Sequence, residues 1–402
     1  MQWTLPSFAF AQQFQWSALL LFGSLLLFGL IAGHVVSKSP WVPRITGYLI
    51  VGFILGGGGL NWLSGDMLHV TNIFADIAVA LVLYQLGRYV DIGWLKREKW
   101  LLATVVTSAV LCFVFVSMAL LWFGTSQVSA LLGGVWAIAT APAVVLAVLR
   151  DLKAEGQVTR RLAAMTALNN FVAILAAYAL LPVIANESGT SVLMLVEHTL
   201  YSLVGSFVLA YLTYWLMMPL ARLLGHQGSR QFVLVIAVIA LAIGAAHALH
   251  LPVMLSMLIF AILSKNLDRQ YDLMELEFGV ANELFVVMLF VTVGASIRLA
   301  DLNMVGVSVL VLVAARFVAM GCGVFLFAHF ARMNWKQAGL LTLGTLPMTE
   351  AGLGLMQTIS SLYPHTAAGV LPLLAGCLIV LELFGPIAAQ FSLIKSGESG
   401  RE

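Results

Sequence analysis

The sequence predicts an all-α polytopic membrane protein of about thirteen transmembrane helices in two inverted six-helix repeats, with one broken helix in each. Three observations predict it. The 402 residues are 61% hydrophobic and 9% charged, with a mean hydropathy of +1.00, which no soluble domain sustains. Basic residues alternate from one connection to the next with almost no exception. Two apolar segments, one in each half, are interrupted by proline and polar residues at mid-depth.

The apolar stretches fall near 17–36, 45–63, 72–90, 100–123, 127–149, 160–184, 195–221, 231–249, 252–267, 278–297, 303–330, 337–361 and 367–390. Span 1 follows sixteen residues without Lys or Arg, so no cleavable leader is expected. Pro43 opens span 2 and Gly56-Gly57-Gly58-Gly59 closes it; lacking any phosphate-binding context, that run reads as a close-packed helix end. Span 3 carries Asp76 near its outer end and runs through a Leu-rich stretch to Gly87. Span 5 is broken at Ala139-Thr140-Ala141-Pro142, and span 6 has Asn169-Asn170 at mid-depth. Span 7 stands between the halves. His247 and His250 end span 8 near the surface, too weak a pattern for a metal site. Pro252 opens span 9. Span 10 has Glu283 near its inner end and Gly294 further along. Arg316 is halfway along span 11, and span 12 is broken at Leu346-Pro347-Met348-Thr349-Glu350-Ala351-Gly352. Glu382 is somewhat past the middle of span 13. Cys112, Cys322 and Cys377 fall inside apolar spans and read as small core residues.

All but two of the 20 basic residues lie in the connections after odd-numbered spans or in the C-terminal tail. Arg298 alone lies on the opposite side, and Arg316 is inside a span. The positive-inside rule then places the N-terminus outside and the C-terminus in the cytoplasm, across a plasma (bacterial inner) membrane. A miscounted span would scramble this alternation.

The broken spans are seven apart, so they cross the bilayer in opposite directions. An offset of about 207 residues lays Gly87 on Gly294 and Asp76 on Glu283. Pro43 and Pro252 open corresponding spans at nearly the same offset. The expected organisation is one transmembrane transporter domain over 1–402: repeat one at 17–184, a linker helix at 195–221, repeat two at 231–390.

Breaks at mid-depth survive only where protein or a water-filled cavity receives the freed backbone groups. Paired breaks point to a secondary transporter's substrate site. A charge near the bilayer centre costs about 2.5–3.5 kcal/mol on insertion scales, so Arg316 and Glu350 each require a reason. Bland reasons exist: Asn169 and Asn170 serve equally well as interhelical glue, and Arg316 with Glu350 as a structural ion pair. Pro142 alone would kink a helix, and Glu382 reads as a partner for a neighbouring polar group. Asp76 and Glu283, near span ends, either reach the interface or mark entrances. Adjacent Asn side chains point about 100° apart, so one can face a cavity while the other packs.

In this order the residues resemble the cation/proton antiporter superfamily, in its potassium-efflux and bacterial sodium/proton antiporter branch. The resemblance covers essentially every span. It rests on Pro43-Arg44-Ile45-Thr46-Gly47-Tyr48-Leu49 with Gly52 and Gly56, the approach to Gly87 with Asp91, and Thr140-Ala141-Pro142-Ala143-Val144-Val145. It continues through Leu168-Asn169-Asn170, Phe290 to Gly294, Arg316, and Thr349-Glu350-Ala351. It implies a core of crossing broken helices moving against a scaffold, and a homodimer embedded in membrane lipid. It further implies a site at Thr140, Asn169, Asn170, Thr349 and Glu350, with Arg316 compensating charge. The dozen residues after span 13 leave no room for the nucleotide-binding domain that many relatives append. No phosphate loop appears, so ion gradients supply the energy, with no nucleotide, nucleic acid or cofactor, only Na+ or K+ and H+ as cargo.

One departure matters. Family members place an aspartate where Asn170 stands; an amide oxygen can bind a cation but cannot titrate. Three outcomes stay open: a cation/proton antiporter with Glu350 as the titrating acid, a carrier of an anionic or polar solute on the same scaffold, or an ion-binding homologue without exchange.

Overall fold

The structure is a computed structural model that describes residues 18–60, 65–188, 192–225, 228–268, 279–297, 307–348 and 371–400. Among these residues the chain forms fifteen helices and no strands. They are α1 (Ala18–Val36), α2 (Arg44–Leu55), α3 (Gly65–Gly87), α4 (Ile92–Arg97), α5 (Lys99–Trp122), α6 (Gln127–Trp136), α7 (Pro142–Asp151) and α8 (Gln157–Ser188). Then come α9 (Val192–Leu224), α10 (Gly228–Ala248), α11 (Val253–Leu267), α12 (Gly279–Ser296), α13 (Val307–Ala328), α14 (Trp335–Gly344) and α15 (Leu371–Ser396). Six of them, α5, α8, α9, α10, α13 and α15, contain apolar stretches long enough to cross a membrane. The fold is that of a polytopic all-α membrane protein.

Local sequence explains several helix starts. Pro43 and Pro252 stand at the N-caps of α2 and α11 with extended backbones, where a ring without an N–H forfeits no helical bond. The short α4 was not expected. Its six residues are too few for a periodic apolar pattern, and it exists because the Asp91 carboxylate accepts the Trp94 N–H at 2.9 Å, an N-cap.

Two bundles result. In the first, α2 packs on α1 and α12, α3 packs on α11 and α12, and α9 runs along α10 and α11. In the second, α5 packs on α6 and α13, while α8 and α15 pack against the short helices α7 and α14. The bundles meet where α3 lies against α7 and α8, α11 against α8, and α2 against α15. Close approach inside the first bundle depends on two glycines. A Cβ on Gly294 of α12 would fall on the Leu49 carbonyl of α2, and one on Gly87 of α3 would collide with Ala261 of α11, 3.3 Å from the Leu258 carbonyl. Cys112 and Cys377 are buried as expected, whereas Cys322 is exposed on the outside of its bundle.

The C-terminal tail folds back onto the α7–α8 connection. The Glu398 carboxylate accepts the Val158 N–H at 2.9 Å, the Thr159 N–H at 2.7 Å and the Thr159 hydroxyl at 2.8 Å. The backbone joins in, with Glu155 N–H donating to the Glu398 carbonyl and Gly400 N–H to the Leu152 carbonyl, both at 2.9 Å. Glu398 thus supplies the N-terminal cap of α8 from more than two hundred residues away.

Candidate functional site

The first break lies between α6 and α7. Helix α6 ends at Trp136, the chain leaves helical geometry, and α7 restarts at Pro142 in its first position. Proline suits that position because its φ is already helical and its missing N–H would have had no partner. The second break begins where α14 ends at Gly344, with Leu346, Pro347 and Met348 non-helical. The two breaks touch: Ala141 N–H donates to the Pro347 carbonyl at 3.0 Å. Gly385 of α15 makes room for this crossing, since a Cβ there would stand 2.7 Å from Pro347 Cα.

Helix α8 brings the asparagine pair to the first break. Asn169 Nδ2 donates to Thr140 Oγ1 at 3.1 Å. Asn170 Nδ2 donates to the Thr140 carbonyl at 2.6 Å and to the Thr166 carbonyl at 2.8 Å. All three residues are buried, and Asn169 is 0% exposed. Among the described residues its Oδ1 nevertheless accepts no hydrogen bond. An uncompensated buried carbonyl costs about 1–3 kcal/mol, so the protein holds an acceptor poised for a donor or a cation. The two Asn side chains share one partner. Both reach Thr140, one by its hydroxyl and one by its backbone. Asn170 also borders a cavity of about 20 Å³ with Val79, Val82, Pro142 and Ala143, room for one water-sized occupant.

Arg316, on α13 and 2% exposed, ties the two breaks together. Its Nε donates to the Ala137 carbonyl at 2.9 Å and its Nη2 to the Ala139 carbonyl at 2.9 Å. Its Nη1 donates to the Leu346 carbonyl at 2.8 Å, and Nη2 also reaches the Thr345 carbonyl at 3.3 Å. These carbonyls belong to the C-terminal ends of α6 and α14, where helices concentrate partial negative charge. One guanidinium therefore satisfies two helix ends at once, which a fork of five donors can do and a lysine cannot.

The other expected residues divide. Thr349 and Glu350, and with them the expected Arg316–Glu350 pair, lie outside the described residues. Asp76 is exposed on α3. Glu283 on α12 faces Arg44 of α2 at 3.9 Å, and the same Arg44 lies 3.9 Å from Asp151 at the end of α7. Glu382 is buried on α15.

A second, wider cavity of about 500 Å³ opens beside the α7–α8 connection. Its residues Tyr84, Gln85 and Leu146 stand within about one turn along α3 and α7 of Val82, Leu83, Pro142 and Ala143, which line the small cavity at Asn170. Neither Asp76 nor Glu283 lines either cavity. Sequence reasoning missed this mouth, the Glu398 cap and the Ala141–Pro347 contact. The broken segments themselves were visible; which atoms of one meet the other leaves no mark in the sequence.

Comparison with known proteins agrees with this architecture. The structure is similar to that of the sodium proton antiporter MjNhaP1 from Methanocaldococcus jannaschii at pH 8. The TM-score is 0.66 at 18% identity, over 94% of this chain and 95% of that one. At that identity the likeness speaks for the fold. Residues 22–393 match the sodium/hydrogen exchanger transmembrane family. A match over nearly the whole chain, on an all-helical scaffold in which the two helix breaks touch, assigns this protein to the sodium/hydrogen exchanger family.

Proposed function

We propose that the protein is a secondary active antiporter exchanging a monovalent cation, Na+ or K+, for protons by alternating access. The observation that carries this reading is the Oδ1 of Asn169, buried where the two breaks meet and without a hydrogen-bond donor among the described residues. In this mechanism the cation gathers the Asn169 Oδ1, the Thr140 hydroxyl oxygen and the Glu350 carboxylate as oxygen ligands, with Asn170 and Thr349 at the margin. Asn170, with its amide committed to two carbonyls, holds the break in shape. Glu350 is the one titratable ligand of the set, so cation and proton compete there, and that competition couples the fluxes. Arg316 neutralises the helix ends, so the bound cation is not left facing an excess of negative charge.

The bundle containing α5–α8 and α13–α15 is the moving part, and the bundle of α1–α3 and α10–α12 the scaffold. Two inverted repeats flanking α9 as linker are supported by helix bounds that recur at an offset of about 207, as between α5 and α13 and between α6 and α14. Asp76 is the candidate entrance acid on the outer side. Glu283, placed beside Arg44, belongs to an ion cluster at the inner end. The exposed apolar face of α9, with Phe207, Tyr211 and Trp215, meets lipid or a second copy in a homodimer. The alternative of an anionic cargo held by Arg316 is disfavoured, because that guanidinium is already directed at four carbonyls.

Inside-out vesicles carrying a fluorescent pH probe test the reading. Addition of sodium or potassium chloride is expected to move protons, and Glu350→Gln to abolish the movement with the protein still folded. Proton movement that persists in Glu350→Gln removes Glu350 as the coupling acid. Proton movement evoked by neither cation ends the antiport reading.

A further inference from the structure

The wide cavity of about 500 Å³ has a composition unsuited to attracting cations. Its wall carries Arg88, Arg150, Arg160 and Lys265 against two acids, Asp91 and Glu155, and its aromatic lining is Tyr84 and Tyr89. Asp91 is already engaged: one oxygen accepts the Trp94 N–H, and the other lies 4.0 Å from Arg160. The Arg160 guanidinium also stacks over the Trp94 ring at 4.4 Å, and Arg88 donates to the Tyr84 hydroxyl at 3.3 Å. Lys265, part-exposed on α11, forms no ion pair among the described residues.

An excess of basic residues at this end follows from topology alone, and the positive-inside bias would be met by lysines on convex loops. Here four cations from α11, α7, the α3–α4 turn and the start of α8 converge on one concavity. Its volume is in the range of about 300–1,000 Å³ that small-molecule sites occupy. Converging cations in a cleft focus a field that draws anions, and arginine forks match phosphate oxygens in pairs.

We propose that this vestibule is a binding site for a phosphate-bearing anion. The occupant is a small soluble phosphate compound or the headgroup of an anionic phospholipid, which share the recognised group. Because the lining of the vestibule adjoins that of the cavity at Asn170, its occupant also controls access to the first break from that side; this consequence, unlike the binding, rests on the proposed antiport.

The test is calorimetric titration of the purified full-length chain with inorganic pyrophosphate and with AMP. It is run in nanodiscs of phosphatidylcholine and again in nanodiscs containing phosphatidylglycerol. Saturable binding is expected, weakened about 10-fold or more by Lys265→Gln and by Arg150→Gln, the loss of a charge-assisted contact. Lys336→Gln, which removes an exposed charge outside the vestibule, is expected to leave it unchanged, and Lys265→Arg to restore it. Melting temperature separates misfolding from lost binding, and the part-exposed Lys265 keeps the test decisive if Arg150→Gln does not fold. Equal binding in both kinds of nanodisc identifies a soluble occupant; binding suppressed by phosphatidylglycerol identifies the headgroup. Absence of saturable binding in phosphatidylcholine, or equal weakening by Lys336→Gln and Lys265→Gln, overturns the proposal. Binding is read without transport, so either result leaves the antiport experiment to stand or fall separately.

Discussion

Arg316 shows how much a single side chain can organise. Replacing it with methionine keeps the volume but strips four carbonyls, those of Ala137, Ala139, Thr345 and Leu346, of this donor; Ala137 keeps the Cys112 thiol at 3.1 Å. Each buried acceptor left unpaired costs about 1–3 kcal/mol. Arg316→Met is therefore expected to lower thermal stability in detergent severely, and Arg316→Lys to recover only part of it. A methionine variant as stable as wild type would show that water can take over those carbonyls. Asn169 is the contrasting case. Asn169→Ala removes one hydrogen bond and also an unsatisfied oxygen, so a stability loss of at most about 1–2 kcal/mol is expected, with cation-evoked proton movement lost. Asn170→Asp puts carboxylate oxygens where the amide now donates to two carbonyls. It is expected to change the pH profile or ion preference of exchange; a variant indistinguishable from wild type would make the pair packing alone.

Among the elements, α8 depends on residues outside itself. Its first turn is capped by Glu398, whose carboxylate meets the N–H groups that a helix leaves orphaned and the positive end of its dipole. Glu398→Ala is expected to cost about 0.5–2 kcal/mol, with faster amide hydrogen exchange at Val158 and Thr159. Unchanged exchange there would mean that solvent caps the helix equally well. The break in α14's span has a different dependence, on the missing side chain of Gly385. Gly385→Ala is expected to push Pro347 away and cost about 1–3 kcal/mol as an overpacked contact does, measured as a lowered melting temperature with impaired exchange. Neither dependence could be read from the sequence. Glu398 looks like one acid in a polar tail, and Gly385 like one of many small residues in apolar spans.

At the scale of the whole molecule, the two bundles are joined at the basic end by Arg44, set between Asp151 of one bundle and Glu283 of the other. Part-exposed pairs at such distances contribute about 0–1 kcal/mol, little enough to break and reform as bundles move. Arg44→Gln is thus expected to leave stability within about 1 kcal/mol while altering the salt dependence of exchange. A variant with the wild-type salt response would exclude the cluster from bundle motion. The placement of Glu283 here also explains why its sequence position looked like an entrance. A charge near a span end is legible, but its partner Arg44, some 240 positions away, is not.

The sequence by itself determined the membrane class, the number and order of apolar segments, the breaks at Pro142 and Pro347, and the residues at mid-depth. These follow from local rules: hydrocarbon thickness fixes segment length, and backbone groups freed in lipid demand a reason. Only the tertiary structure decided that Arg316 binds carbonyls from both breaks, that Asn170 is spent on holding Thr140 while the Asn169 oxygen has no donor among the described residues, and that four basic residues share one mouth. Such pairings depend on distances between segments far apart in the chain, and periodicity along a single helix carries no information about them.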